Sequence, residues 1–374
     1  MSEQNIRNIE VENESLDDDV LLMEEPFDPM LINIDTKTPS MDTLIKRIER
    51  GSIALNTEEY FQRADNLWSN MQQSRLIESI LIRFPLPAFF FDATNDSYWL
   101  VVDGLQRLSS IRNFCVLKTL KLTNLEFLSQ LEGLGWEDLS DDLKRVIEES
   151  QVVINKIMPG TPTDVKFNIF KRINTGGLVL ESQEIRHALF QGIPAQFVAD
   201  LAKIDTFVEV VGVSSKRMLD RDFVNRFLAF YLFGYDEYQS DLDLFMSKAM
   251  AALHNITNED RILIKQRFES ALSLAHKIFN KDVFRKFQDG AHHRSPINKA
   301  LFDAVATQFA KIPEHKHSIL LTHKQDVKEK LKNLLSQDSY FFSSITSSTN
   351  DKNKVRYRHE TIKKLIIEIV GNYD

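Results

Sequence analysis

The sequence predicts an α+β protein in which a mixed N-terminal part of about 150 residues precedes an all-helical C-terminal part. Aromatic and β-branched runs separated by turn residues occur in the first half of the chain. After Ile193 such strand signals nearly vanish, and apolar residues recur at helical spacing. A chain of 374 residues is long enough for two domains of ordinary size.

The composition excludes several classes of protein. Twelve glycines and ten prolines are too few for a collagen-like or low-complexity chain, and a single cysteine excludes a disulfide-stabilised scaffold. The longest apolar stretches fall far short of the roughly 20 residues that cross a bilayer, and no signal-peptide pattern is visible. We therefore expect a soluble, cytoplasmic protein without a membrane partner.

The net charge of −8 is concentrated at the N-terminus. Residues 1–28 hold ten carboxylates and one arginine, whereas the remaining residues hold 44 acidic and 45 basic side chains. An acidic segment with few apolar residues cannot offset the entropy lost on ordering, so residues 1–37 are predicted to be a disordered tail. This tail is either a solubilising segment or one that competes with nucleic acid for a basic groove.

Local signals divide the remaining chain into a mixed domain, 38–192, and a helical domain, 193–374. Ser40 and Gly51 bound an amphipathic helix as its N-cap and its stop. The other elements predicted for the mixed domain are strands at 53–55, 88–91, 98–102 and 151–157, and helices at 70–82, after Gly104 and after a capping box at 161–164. In the helical domain, helical spacing is found over 223–232, 242–253, 262–279, 297–309, 327–335 and 361–370.

The segment Asp103-Gly104-Leu105-Gln106-Arg107 has the clearest chemical signal. An apolar strand ends there, the glycine permits a sharp turn, and a helix begins with Gln106 and Arg107 in its first turn. A helix N-terminus presents unpaired N–H groups that suit an anion such as phosphate, and arginine adds bidentate donors. The alternative is a purely structural turn, in which Asp103 caps the helix or holds an arginine.

Two other segments carry candidate donors. One is Gln62-Arg63, followed by Trp68, and the other is the helix end with Arg172, Asn174 and the paired glycines Gly176-Gly177. Paired glycines are typical of a helix C-terminus that needs positive φ. The same residues could instead form a mobile loop that closes over a ligand.

Seven segments in order resemble one family. They are FQR with a following tryptophan, LIESIL, FPLP, DGLQR, FKRINTGG, EIRHALF and RMLDRDFVNRFLAF, spread over roughly residues 40–240. The series resembles the DGQQR-motif family, domain of unknown function 262, which is the N-terminal domain of GmrSD-type restriction endonucleases. That family is placed in the ParB/sulfiredoxin-like superfamily. The resemblance implies a small mixed sheet with packed helices, followed by a helical region.

The resemblance also implies a function and a set of site residues. Members look like nucleotide-dependent modules of bacterial anti-phage systems that couple hydrolysis of a nucleoside triphosphate to recognition of DNA. By motif position, the implied catalytic residues are Asp103, Gln106 and Arg107, with Asp103 also reaching Mg²⁺. The implied nucleotide and phosphate ligands are Gln62, Arg63, Gly104, Arg107, Arg172, Asn174 and Gly177. Leu105 departs from the motif, which has glutamine there.

The leading hypothesis is therefore a nucleotide-binding, Mg²⁺-dependent hydrolase that acts on or senses DNA with a separately encoded nuclease or effector. The pair His292-His293 lacks the surrounding pattern of a nuclease centre, and Cys115 lies on an apolar helix face without a nearby base. Two alternatives stay open: a non-catalytic adaptor that binds DNA or a protein, and a DNA nickase using the same pocket. The sequence also leaves open a homo-oligomer.

Overall fold

The computed structural model describes residues 9–12, 28–54, 68–173, 180–287 and 294–372. Internal contacts divide the chain into two units. The sheet unit comprises residues 27–180, and the helical unit comprises residues 1–26 and 181–374. The predicted α+β class, with a small mixed sheet and a helical C-terminal region, is confirmed.

The sheet unit is built on five strands in the order β1-β5-β3-β4-β2. β3 and β4 form the predicted antiparallel hairpin, while β5 runs parallel to β3 and β2 runs parallel to β4. β1 lies antiparallel to β5 at one edge. The strands are β1 Ile34–Lys37, β2 Ile53–Ala54, β3 Phe89–Asp92, β4 Trp99–Asp103 and β5 Ile154–Ile157.

Five helices belong to this unit, and the apolar faces of the first four share one core with the sheet. Phe89, Phe91 and Trp99 contribute buried aromatic rings from the hairpin, and α2 contributes Ile77 and Ile80. Most residues of β3 and β4 are buried, which suits the aromatic and β-branched side chains that favour strands. The helices are α1 Met41–Glu49, α2 Asn70–Leu81, α3 Leu105–Ile111, α4 Asp141–Glu149 and α5 Thr163–Ile173.

The helical unit buries its own core and a network of charged side chains. Asp303 is fully buried and binds the guanidinium of Arg358 through both carboxylate oxygens, at 3.1 and 2.9 Å. Burial alone would raise the pKa of Asp303, but the cations around it lower it to about 2. The helices are α6 Ser182–Leu189, α7 Ile193–Ala202, α8 Asp205–Val210, α9 Leu219–Phe233, α10 Leu242–Ala252, α11 Asn258–Phe279, α12 Lys299–Ala310, α13 Glu314–Thr322, α14 Lys324–Gln337, α15 Ser339–Ser344 and α16 Lys352–Val370.

Part of the segment predicted as a disordered tail is ordered, which corrects that expectation. Residues 34–37 form the edge strand β1, and Val11 makes a parallel bridge to Ile297. Glu12 also accepts a hydrogen bond from Asn298 and pairs with Lys286. These specific backbone and ionic contacts were invisible to an argument from overall charge. The acidic stretch 13–27 lies outside the described residues.

The boundary between the units lies at 180/181 rather than at the predicted 192/193. The buried side chain of Arg186, on α6, donates to Asp243 at 2.8 Å and to Asp222 at 3.2 Å. Both carboxylates belong to helices of the helical unit, so α6 is held there. Across the described ranges, no helix has both the length and the apolar content needed to cross a membrane.

Glu78, on α2, fixes the loop at residues 126–128, in the connection between α3 and α4. Its buried carboxylate accepts hydrogen bonds from the backbone N–H groups of Glu126, Phe127 and Leu128 at 2.7–3.0 Å. Burial alone would raise the pKa of Glu78, but these donors outweigh it and hold the pKa below its ordinary value. The ionised carboxylate therefore stabilises the folded unit.

We expect Glu78→Gln to lower the free energy of unfolding of the sheet unit by about 1.5–3 kcal/mol at pH 7, because an amide nitrogen cannot accept from these donors. All three tryptophans lie in this unit, so tryptophan fluorescence during urea unfolding measures it selectively. The folded pKa lies below the unfolded one, so the effect is complete above about pH 4.3 and disappears as the pH falls through the folded pKa.

The matched control is Glu126→Gln, which changes an exposed carboxylate in the same loop. Its expected effect is within about 0.5 kcal/mol. Equal losses in both variants, or a Glu78→Gln loss that does not diminish in acid, would contradict the role given to Glu78.

Candidate functional site

The Asp103–Arg107 turn is formed where β4 ends against the start of β3. Gly104 has a left-handed φ of +98° and is the N-cap of α3. A Cβ atom at this position would lie 2.5 Å from Cδ1 of Phe89, so the turn requires glycine for both its φ and its packing. The β3–β4 register is also irregular between Phe90 and Phe91, beside this turn.

The guanidinium of Arg107 donates hydrogen bonds to a carboxylate and to two backbone carbonyls of the protein. Its Nη2 donates to Asp103 Oδ2 at 2.7 Å and to the carbonyl of Ala88 at 3.2 Å, and Nη1 donates to the carbonyl of Pro87. The guanidinium carbon also lies 4.6 Å from the centre of the Phe89 ring. Burial lowers the pKa of Arg107 from its ordinary value, while the charge of Asp103 opposes that shift. The side chain ties the end of β4 to the start of β3.

Asp103 does not cap α3, because no side chain accepts from the first turn of this helix. Asp103 instead forms an ion pair with Arg107, which is the other structural role that the sequence analysis considered for it. Within the described part of the chain, its Oδ1 has no hydrogen-bond partner, and about a third of the side chain is exposed. The turn therefore offers a partly exposed carboxylate oxygen beside uncapped backbone N–H groups.

Gln106 and Leu105 both face the protein. Gln106 Oε1 accepts a hydrogen bond from the backbone N–H of Trp68 at 3.1 Å, and the carbonyl of Trp68 accepts from Gln73 at 2.8 Å. The side chain of Leu105 packs against the core of the sheet unit. Leucine stands at position 105 where the motif has glutamine. This position therefore offers a ligand only its backbone N–H.

Arg172 is exposed at the end of α5, and the described residues provide it with no ion partner. Lys166, nearer the start of this helix, binds Asp92 at 2.9 Å, and the helix packs against β4. From Lys166 to Arg172 the helix rises about 9 Å, and β4 advances about 10 Å from Leu100, opposite Asp92, to Asp103. We infer from these lengths that Arg172 lies near the level of Asp103.

Four of the predicted ligands lie outside the described residues: Gln62, Arg63, Asn174 and Gly177. The chain positions next to them are described. Trp68, five residues after Arg63, is anchored on Gln106, and Ile173 directly precedes Asn174. Both segments therefore continue from elements that pack with the Asp103–Arg107 turn or with the strand that leads to it.

The sequence analysis missed one buried charged cluster, at the other end of β3. Asp92 pairs with Lys166 and also accepts from Thr94. A lysine among apolar residues on a helix face was the available signal. Cys115 is buried as predicted, and burial raises the pKa of its thiol to about 12, so it is a structural residue and not a nucleophile.

A comparison with known protein families finds a match that includes the elements around this turn. Residues 41–191 match the GmrSD restriction endonuclease, N-terminal domain. This part of the chain is similar to that domain. The match begins at the first residue of α1, includes the Asp103–Arg107 turn and ends after α6. No curated protein and no solved structure matches the chain.

The GmrSD-type match confirms the predicted family, but it covers a shorter part of the chain than the sequence analysis predicts. The resemblance was placed over roughly residues 40–240, whereas the matched range ends at 191. The segment RMLDRDFVNRFLAF lies beyond it and forms most of α9 in the helical unit. Arg226 of this segment binds the buried Asp303, which gives that part of the chain a structural reason for its charged residues.

Gly104→Ala should destabilise the sheet unit by more than Gly133→Ala. Both glycines have positive φ, but the new Cβ would collide with Phe89 at position 104 and would meet nothing within 4 Å at position 133. We expect about 1 kcal/mol for Gly133→Ala and at least about 2 kcal/mol more for Gly104→Ala, measured by urea unfolding with tryptophan fluorescence. Equal losses would show that the close approach of Phe89 does not constrain the turn.

Proposed function

We propose that the chain is a nucleotide-binding module of a bacterial restriction or anti-phage system, which hydrolyses a nucleoside triphosphate when it engages DNA. The observation that supports this most strongly is the match to the GmrSD restriction endonuclease N-terminal domain, because the matched range contains the Asp103–Arg107 turn. In this proposal a separately encoded nuclease or effector acts on the DNA.

The triphosphate is bound at the Asp103–Arg107 turn. Its phosphates accept hydrogen bonds from the backbone N–H groups at the start of α3, which no side chain caps. Arg107 lies close by but is paired with Asp103, whereas Arg172 adds an exposed guanidinium that no carboxylate neutralises within the described chain. The family resemblance adds Gln62, Arg63, Asn174 and Gly177 as ligands in the neighbouring segments. Phosphoryl transfer depends mainly on this kind of positioning and charge stabilisation.

Asp103 is the residue suited to orient the attacking water or to contact Mg²⁺. Its Oδ1 is available, whereas Arg107 fixes its Oδ2. Mg²⁺ in nucleotide sites takes one or two carboxylates together with phosphate oxygens and waters, so one carboxylate fits that donor set. The described ranges contain no group of three or more His, Cys, Asp or Glu side chains that would hold a metal by themselves. In this proposal the phosphates supply part of the coordination.

Gln106 and Arg107 act mainly as positioning residues. Gln106 binds the backbone N–H of Trp68, which follows Arg63 by five residues in the sequence. Arg107 holds Asp103 and the residue that precedes β3, Ala88. Loss of either side chain would alter the turn itself, which makes these residues poor choices for a test of ligand contact.

A non-catalytic adaptor is the second candidate, and two contacts favour it. Leu105, where the motif has glutamine, packs against the core. Arg107 donates its hydrogen bonds to groups of the protein, including two backbone carbonyls. Such a turn could bind a nucleotide as a signal without cleaving it. Binding without turnover would then report nucleotide state to a partner protein.

Arg172→Gln should weaken binding of a Mg²⁺-bound triphosphate by roughly tenfold or more, because a charge-assisted contact to phosphate is worth about 1.5–3 kcal/mol. The measurement is isothermal titration calorimetry with each of the four triphosphates. Arg83→Gln is the matched control, because Arg83 is another exposed arginine of the sheet unit outside the site. Its affinity should equal that of the unaltered chain.

Asp103→Asn separates the two candidates. In the hydrolase it should reduce phosphate release, measured with and without duplex DNA, by about 100-fold or more. Binding without release in the unaltered chain would select the adaptor. Failure of all four triphosphates to bind would contradict both candidates.

A further inference from the structure

A polar cavity lies at the end of the sheet unit where β4 begins. It has a volume of about 550 Å³ and opens between one side of α1, along most of its length, the residues after this helix and the turn of the β3–β4 hairpin. β4 separates it from the Asp103–Arg107 turn, since four residues of strand span about 13 Å. Its lining residues are Asp42, Thr43, Lys46, Arg47, Arg50, Ser52, Asp96 and Ser97.

Arg47 is held in place by an aromatic ring. Its guanidinium carbon lies 3.7 Å from the centre of the Trp99 ring, and Trp99 is only 6% exposed. Stacking fixes the plane of the guanidinium and leaves the in-plane N–H groups available for an oxygen ligand. An arginine oriented in this way loses less side-chain entropy when it binds a phosphate.

Two of the three cations that line the cavity have no carboxylate partner within the described residues. Lys46 pairs with Asp42 at 2.7 Å, so those two charges cancel locally. Arg47 and Arg50 make no ion pair in this part of the chain. Lys156, which approaches Trp99 from elsewhere in the sheet, is neutralised by Asp35 at 2.9 Å. The uncompensated charge of the cavity is therefore carried by the two arginines, against one exposed carboxylate, Asp96.

The neighbouring groups suit an oxygen-rich ligand. Ser97 and Thr43 place hydroxyl groups in the lining, and Gly51, next to Arg50, has a φ of +65° with open space where a Cβ would lie. A ligand can thus approach the backbone closely at the end of α1. The negative end of the α1 dipole opposes a small free anion there, so a polyanion that is also bound elsewhere is the better match.

We propose that this cavity binds a backbone phosphate of DNA through Arg47 and Arg50. This assignment rests on the proposed DNA-directed function and adds to it a contact site that is separate from the nucleotide site. The arginines neutralise phosphate, which supplies affinity without reading the base sequence. Trp99 acts as a positioning residue that orients Arg47.

The test compares two double variants of the full chain that remove the same charge. Arg47→Gln with Arg50→Gln alters the cavity, and Arg83→Gln with Lys121→Gln removes two exposed cations of the same unit elsewhere. Binding of a fluorescein-labelled duplex is followed by fluorescence anisotropy between 50 and 300 mM salt. We expect the cavity variant to bind on the order of tenfold more weakly and to reduce the slope of log K against log salt by about 1.8, because each lost phosphate contact removes about 0.9.

Asp96→Asn provides a change of opposite sign. It removes the carboxylate that opposes the two arginines, so DNA should bind more tightly, by a few-fold at 50 mM salt and less at 300 mM. Weaker binding in this variant, or equal binding by both double variants, would overturn the proposal. So would an unaltered chain that does not bind duplex DNA at all.

Calorimetry with triphosphate on the same variants distinguishes this failure from failure of the nucleotide site. Unchanged nucleotide affinity with weakened DNA binding supports the cavity as a DNA contact. If the cavity variant loses affinity for triphosphate or inorganic phosphate but not for DNA, the cavity takes a free phosphate ligand and the DNA assignment is wrong. If no triphosphate binds while DNA binding depends on the two arginines, the proposed DNA contact at the cavity is supported and the proposed nucleotide site is wrong.

Discussion

The contact on which the candidate site depends is the one between Arg107 and the ends of two strands. A single guanidinium joins Asp103, at the end of β4, to the carbonyls of Pro87 and Ala88, immediately before β3. It stacks on Phe89, the same ring that forbids a side chain at position 104. Because these atoms fix one another, the turn, the available Asp103 oxygen and the start of α3 form one preorganised arrangement.

This arrangement changes the role of the most obvious candidate residue. An arginine in the first turn of a helix, where the dipole disfavours a cation, suggests a ligand for phosphate. The structure supplies other partners that explain it, namely a carboxylate four residues earlier and two backbone carbonyls. The free donors at the site are then the backbone N–H groups of α3 and the exposed Arg172. Direct contact with phosphate is then proposed for those groups, and Arg107 stabilises the turn.

The sequence predicted the local elements well and the long-range pairing poorly. The α1 and α2 helices, the β3–β4 hairpin and Gly104 at the turn follow from short-range patterns that the structure confirms. β1 was missed because Ile34–Lys37 is a short edge strand, whose partner β5 lies more than a hundred residues away. The link between Gln106 and Trp68 was missed for a similar reason, since a backbone N–H leaves no trace in side-chain patterns. The sequence carries no signal at Arg47 and Arg50, because only the fold places Trp99 beneath Arg47.

The central claim is that the Asp103–Arg107 turn binds a nucleoside triphosphate. Hydrogen–deuterium exchange of the backbone amides, with and without Mg²⁺ and triphosphate, measures this directly, because bound phosphates would protect the N–H groups that no side chain caps. The account predicts slower exchange at residues 104–107, with no change at the cavity beside α1. Exchange that stays the same at the turn under saturating nucleotide, or slows only at sites elsewhere in the chain, would contradict it.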